Sequence, residues 1–226
     1  KRLCEMLIQT FSRGTTMTCV AVRFGNVLGS HGSVIPLFEE QIKRGGPVTI
    51  THPDIVRYFM TITEAAQLVL QAGGLAKGGS IYVLDMGEPV KIMDLANRLI
   101  RFYGYEPGVN MQVKITGLRP GEKLYEELLM DAERDKMGKT AHNKIFIAPP
   151  MQIDLEKFYT NLQKLKDSAK HNDDEVVDVL QEMVPTYHPN RRVRADHTVV
   201  AATGNTALFS KEEVARKLQE SEHKEG

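Results

Sequence analysis

Apolar side chains recur along the first 150 residues in two alternating rhythms. Leu3, Met6, Leu7 and Phe11 fall at the three- and four-residue steps of one helix face, and Gly14 closes that run. Residues 19–22 form an unbroken apolar stretch, the pattern of a strand buried on both faces in a parallel sheet. The stretch ends in Arg23-Phe24-Gly25-Asn26 and a loop, Gly29-Ser30-His31-Gly32-Ser33. Open α/β sheets bind ligands at such carboxyl ends of strands. A helix is predicted over 34–43, with Pro36 in its first turn, where proline is tolerated. Gly45-Gly46-Pro47 breaks the chain before a short strand at 48–50.

The alternation continues. Thr63 is the expected N-cap of a helix over 64–72. An apolar strand at 80–85 turns at Gly87, and an amphipathic helix at 92–103 closes at Gly104. A strand at 113–117 leads into the loop 118–123, a further helix is expected to begin over 124–129, and a strand at 144–148 stops at Pro149-Pro150. From 151 the pattern changes to charged amphipathic helices at 154–166 and 173–184. Residues 190–226 carry little apolar content and end Lys/Glu-rich, so a flexible tail is expected there. The resulting expectation is an α/β unit over 1–150, a helical C-terminal extension over 151–189 and a tail over 190–226.

Composition narrows the class of protein. Of 226 residues, 26% are charged and 42% hydrophobic, ordinary values for a soluble globular chain. Twenty-nine basic residues balance 29 acidic ones, so no bulk charge favours nucleic acid. Cys4 and Cys19 form no Cys-x-x-Cys pair and sit near no histidine cluster, which argues for reduced thiols and against a metal site. No apolar run approaches the ~20 residues needed to cross a bilayer. The chain opens Lys1-Arg2-Leu3-Cys4-Glu5, inside a helical pattern and without an initiator methionine or signal peptide, which is the expectation for a fragment.

Three segments carry candidate chemistry. In Arg23-Phe24-Gly25-Asn26-Val27-Leu28-Gly29, a polar Asn follows a buried strand among glycines that permit close approach of a ligand, or Asn26 satisfies its own corner. In Asp54-Ile55-Val56-Arg57-Tyr58-Phe59-Met60, an arginine amid apolar neighbours needs an anion. That anion is either a carboxylate such as Asp54 or Glu64, or a phosphate held by the guanidinium fork. In Leu118-Arg119-Pro120-Gly121-Glu122-Lys123-Leu124-Tyr125-Glu126-Glu127, a Pro-Gly turn would hold Arg119 and Glu122 at the mouth of a helix, or form a plain charged loop.

Together these segments resemble the extended short-chain dehydrogenase/reductase family of nucleotide-sugar epimerases and dehydratases. The order in that family is a strand ending in Arg-aromatic-x-Asn, a Gly-rich loop, an Arg-aromatic-aromatic segment and Arg-Pro-Gly-Glu. The closer resemblance is to the large, membrane-anchored UDP-N-acetylglucosamine 4,6-dehydratases of polysaccharide biosynthesis, carried by residues 23–36, 49–60 and 117–127. It covers about residues 1–150 and implies an α/β fold. That fold is the C-terminal part of an extended Rossmann-type, NAD(P)-binding architecture, with its substrate-binding subdomain and a helical C-terminal extension.

Residue roles follow from the resemblance. It implies that Asn26 and Arg57 bind the nucleotide-sugar, with Arg57 at the diphosphate and Arg119 as a second phosphate clamp. Glu122 would accept a hydrogen bond from the nucleotide ribose, and Ser33, Val34 and Thr49 would line the nucleotide pocket. Phe24 falls at the nicotinamide end. Lys1 matches the catalytic lysine that binds the nicotinamide ribose. The implied cofactor is NAD ahead of NADP, and no metal is implied.

The implied reaction oxidises C4 of the sugar, eliminates water across C5–C6 and returns hydride to C6. A UDP-sugar C4 epimerase of the same superfamily, or a non-catalytic sugar-nucleotide-binding or assembly module with an exposed first helix, are the alternatives. The family's Gly-x-x-Gly-x-x-Gly is absent, and with it a pyrophosphate cradle. The expectation is therefore a chain that binds little NAD and is inactive alone. It would keep the clamp of Asn26, Arg57 and Arg119 while exposing the apolar faces of strands 18–23 and 80–85. A cytoplasmic, homo-oligomeric, capsule-type enzyme tethered at a membrane is the implied parent, with no nucleic-acid partner.

Overall fold

Helix and strand alternate through the body of the computed structural model, which describes residues 1–30, 32–171 and 175–189. The expected tail at 190–226 lies outside the described residues. In chain order, α1 (Arg2–Arg13) leads into β1 (Ala21–Arg23), β2 (Asn26–Val27), α2 (Val34–Lys43) and β3 (Val48–Ile50). Then come β4 (Val56–Arg57), β5 (Phe59–Met60), α3 (Ile62–Gly74), β6 (Ile81–Leu84) and β7 (Val90–Lys91). They are followed by α4 (Ile92–Phe102), β8 (Val113–Ile115), α5 (Asp131–Arg134), β9 (Gly138–Lys139) and β10 (Ile145–Ile147). The helical extension is α6 (Leu155–His171) and α7 (Glu175–Met183).

The least polar strand is the central one. β6 is buried at every residue. It pairs in parallel with β1 and antiparallel with β10, which in turn pairs with β9, giving the order β1-β6-β10-β9. The parallel pairing expected for the apolar stretch is thus present, within a mixed sheet. Three short ladders build the rest: β2 with β5 and β3 with β8 in parallel, and β4 with β7 antiparallel.

Two cores support these ladders. Ala65, Leu68 and Ala72 of α3 pack on Tyr82 and Leu84 of β6. Phe38 and Ile42 of α2, Ala96 and Ile100 of α4, and Val48 and Ile50 of β3 form the other. The apolar face of β6 is therefore covered, contrary to expectation, whereas 18–23 stays part-exposed along its length. Val20 and Val22 pack into the α3 core, and Ala21 packs against Ile81, Val83 and Ala148.

Three further expectations are corrected. The N-cap of α3 is Thr61, whose hydroxyl accepts from the Glu64 amide at 3.2 Å. The Thr-x-x-Glu capping spacing begins at Thr61, so Thr63 falls inside the helix. No helix forms over 124–129. Carbonyls that a helix would consume are engaged elsewhere: Leu124 O accepts from the Val56 amide at 3.1 Å and from Arg57 at 3.0 Å, and Leu128 O accepts from Arg23 at 3.1 Å. Finally, the apolar stripe of α1 is not free for a partner. Leu3, Met6 and Leu7 pack against Phe158 of α6 and Val179 and Met183 of α7.

Candidate functional site

The site is assembled where the chain leaves β1. Gly25 lets two backbone segments touch, since a Cβ there would lie 2.9 Å from Tyr58 Cβ and 3.0 Å from Tyr58 O. The close approach this glycine permits is to the chain's own Tyr58. With the segments in contact, the Asn26 amide donates to Tyr58 O at 2.9 Å and the Leu28 amide to Met60 O at 2.8 Å. Asn26 and Arg57 are thereby brought side by side from positions thirty-one residues apart. Gly29 and Gly32, at φ 70° and 74°, turn the loop that delivers Ser33 as N-cap of α2. Gln41 of α2 then clamps Thr49 of β3: its amide donates to Thr49 Oγ1 at 2.7 Å and its carbonyl accepts from the Thr49 amide at 2.9 Å.

These elements enclose a cavity of about 800 Å³. Asn26, Ser33, Val34, Thr49, Arg57, Arg119 and Glu122 all line it. Phe38, Ile50, Ile55, Phe59 and Ile92 form its apolar floor, the exposed end of the α2/α4 core. Ser33 Oγ is buried there without a hydrogen-bond partner among the described residues. A buried hydroxyl left unpaired costs free energy until something bonds it, which makes that wall a candidate contact point for a polar group. Lys1 and Phe24 do not line the cavity. Lys1 is the exposed N-cap of α1, and Phe24 is about one-third exposed beyond the cavity wall.

Arg57 is half-buried and its partners differ from those the sequence pointed to. Its Nη1 donates to Val56 O at 2.7 Å and to Leu124 O at 3.0 Å. Its Nε lies 3.4 Å from Glu126 and its Nη2 3.7 Å from Glu122. Glu64 pairs instead with Lys144 at 2.6 Å, and the Asp54 amide bonds to His52 Nδ1 at 3.1 Å. Glu122 is held by the Thr51 hydroxyl at 3.0 Å and the Arg119 amide at 2.9 Å. The 118–123 turn is a loop rather than the mouth of a helix. Its Arg119 guanidinium has no carboxylate partner among the described residues.

Beneath the site lies a charged network that sequence reasoning missed. The Arg23 guanidinium grips Glu5 through Nε and Nη2 at 2.6 and 2.8 Å, and Glu133 through Nη1 at 2.6 Å. Arg2 closes the ring on Glu133 at 2.8 Å. Burial pushes the Glu133 carboxyl up, but hydrogen bonds from Arg23, the Met130 amide and Arg2 outweigh it and hold the group below its ordinary range. Burial likewise disfavours charge on Arg23, and the two carboxylates more than restore it. An arginine at the end of an apolar strand was the available signal, because such a group needs an anion. Its partners, 18 and 110 residues away, have no local signature.

This order of segments around one cavity belongs to a known class. Residues 1–150 match the family model described as polysaccharide biosynthesis protein, and the chain belongs to that family, within the extended short-chain dehydrogenase/reductase superfamily of epimerases and dehydratases. The capsular polysaccharide biosynthesis protein CapD of Staphylococcus aureus is 51% identical over 175 residues, covering 74% of this chain and 28% of CapD. A UDP-glucose 4-epimerase of Rickettsia prowazekii is 38% identical over 166 residues, covering 71% of this chain and 47% of that protein. The X-ray structure of Pen from Bacillus thuringiensis superposes with a TM-score of 0.59 at 38% identity, over 66% of this chain and 46% of that one. The chain thus spans between about a quarter and half of these relatives.

Proposed function

We propose that the cavity binds the nucleoside-diphosphate end of a UDP-sugar, and that the chain is the substrate-holding part of a UDP-N-acetylglucosamine 4,6-dehydratase of polysaccharide biosynthesis. The observation that carries this reading is the convergence of Asn26, Ser33, Val34, Thr49, Arg57, Arg119 and Glu122 on one cavity from three separate segments, 26–34, 49–57 and 119–122. A volume of about 800 Å³ suits a small-molecule site, for which roughly 300–1,000 Å³ is usual. The cationic fork of Arg57 and the guanidinium of Arg119 suit a diphosphate, and Glu122 suits a ribose hydroxyl. Remote binding energy of this kind would hold the sugar in one orientation while its C4 and C5 react.

NAD would supply the hydride acceptance and return that this reaction requires. The glycine-rich turn between β2 and α2 lines the cavity assigned here to the sugar nucleotide, and the chain carries no Gly-x-x-Gly-x-x-Gly run that would cradle a dinucleotide pyrophosphate. Lys1 and Phe24 stay in the proposal only as candidates for the nicotinamide end. We assign the sugar-nucleotide site to residues 1–150 and a bracing role for α1 to 151–189. The complete protein would act on the cytoplasmic side of a membrane as a homo-oligomer. Among the described residues no helix is long and apolar enough to span one.

The test is calorimetric titration of the chain with UDP and with uridine. UDP is expected to bind and uridine to bind far more weakly. Arg57→Gln is expected to weaken UDP by about 10- to 150-fold, the worth of a hydrogen bond to a charged group. Equal affinity of wild type and variant would refute the assignment. The 38% identity to a UDP-glucose 4-epimerase supports a second reading, C4 epimerisation. Product mass from the complete protein separates the two, since dehydration removes one water and epimerisation none.

A further inference from the structure

Arg57 and Asn26 point their donors at the same place, and a carboxylate of the chain already stands there. Asn26 Nδ2 donates to both Glu126 oxygens, at 3.0 and 3.1 Å. With Nη1 of Arg57 committed to two backbone carbonyls, the remaining fork is the Nε/Nη2 edge. That edge faces Glu126 at 3.4 Å and Glu122 at 3.7 Å, longer than the ~2.7–2.9 Å of a direct charge-assisted hydrogen bond. The fork is therefore faced by carboxylates without being consumed by them.

The two glutamates are not equivalent. Glu122 is fixed by the Thr51 hydroxyl and the Arg119 amide, both independent of Arg57. Among the described residues, Glu126 hydrogen-bonds only to Asn26 and pairs only with Arg57. Its neighbours Leu124 and Leu128 pack against the cores, while its own side chain is about one-third exposed to solvent. With Glu126 in place, Arg57 stands between two carboxylates, which offset its pull on a diphosphate. With Glu126 withdrawn, Glu122 alone faces Arg57.

We propose that Glu126 is a built-in competitor for the anion site: it holds the Asn26 amide and stands against the fork of Arg57 until a phosphate displaces it, and so sets the affinity for the sugar nucleotide. This rests on the reading of the cavity as a diphosphate site. The chemistry is an exchange of one anion for another on the same donors, with no bond made or broken.

The experiment titrates the full 226-residue chain with UDP, with inorganic pyrophosphate and with uridine, as wild type, Glu126→Gln and Arg57→Gln. Glu126→Gln keeps the shape and removes the charge. It should tighten UDP and pyrophosphate by about five- to tenfold and leave uridine unchanged, the scale of a part-exposed ion pair plus its hydrogen bonds. Unchanged or weaker UDP binding in Glu126→Gln, with Arg57→Gln still losing it, would overturn the competitor and leave the diphosphate site standing. A folded wild type that binds neither UDP nor pyrophosphate would overturn both. If Glu126→Gln does not fold, the wild type decides through the side-chain amide signals of Asn26 in ¹⁵N NMR. They should shift on adding UDP as their carboxylate partner is replaced, and signals that stay put at saturating UDP would overturn the proposal.

Discussion

Replacing Arg23 by methionine removes the centre of the charged network while keeping an unbranched apolar stem. The Arg23 side chain is only 12% exposed and that of Glu133 6%, so the two carboxylates left behind would not reach water freely. Glu5 would lose both strong bonds to Arg23, and Glu133 would keep only Arg2 and the Met130 amide. Breaking a buried pair by removing one partner costs about 3–5 kcal/mol, roughly a fifth or more of the ~5–15 kcal/mol that stabilises a domain. In urea, with a slope of about 2 kcal/mol per molar, the midpoint should fall by about 1.5–2.5 M. Adding Glu5→Gln and Glu133→Gln should restore part of the loss, because no charge is then left unpaired. Acid should tell the same story. The Glu133 carboxyl titrates lower when folded than the ~4.3 of a free glutamate. Its contribution is therefore full above about pH 4.3 and is lost as pH falls through the depressed folded value. Glu133→Gln should flatten that acid limb. A loss under about 1 kcal/mol for Arg23→Met, with an unchanged acid limb in Glu133→Gln, would refute the buried-network account.

Other predictions use the same packing. Burial, then the charge of Glu88, pushes the Tyr58 phenol up to about 12, so its stabilisation is full below the ordinary ~10 and is lost as pH rises toward 12. Tyrosinate absorbance compared between wild type and Tyr58→Phe checks this, and ionisation of Tyr58 near 10 would contradict it. Gly25→Ala should destabilise by about 1–3 kcal/mol in urea unfolding, because its methyl meets Tyr58 at 2.9 Å. Gly14→Ala, with its nearest atom at 3.9 Å, is the expected neutral control. Thr61→Ala should cost about 1 kcal/mol for the lost cap of α3, whereas Thr63→Ala should cost little.

Much of this was legible in the sequence because the signals are local. The helix at 34–43 and the strand at 48–50 were read to the residue, since apolar period and glycine breaks fall on their boundaries. Seven of the nine candidate site residues share one cavity because motif order tracks the loops that follow successive strands. What stayed hidden is long-range. Arg57 takes partners about seventy residues away, and the carbonyls of 124–128 are engaged by distant arginines, which prevents the helix that local propensity favours. Gln41, through two hydrogen bonds, and Thr51, through one, hold the site by contacts that no spacing announces. The covered stripe of α1 depends on α6 and α7, about 150 residues downstream.

The central claim is that the phosphates of a sugar nucleotide sit at Asn26 and Arg57. The most direct test is ³¹P NMR of UDP titrated with the full chain. Both phosphorus signals should shift or broaden with the wild type and recover with Arg57→Gln. Phosphorus signals that do not respond while the uracil proton signals do, or that respond equally to Arg57→Gln, would contradict it.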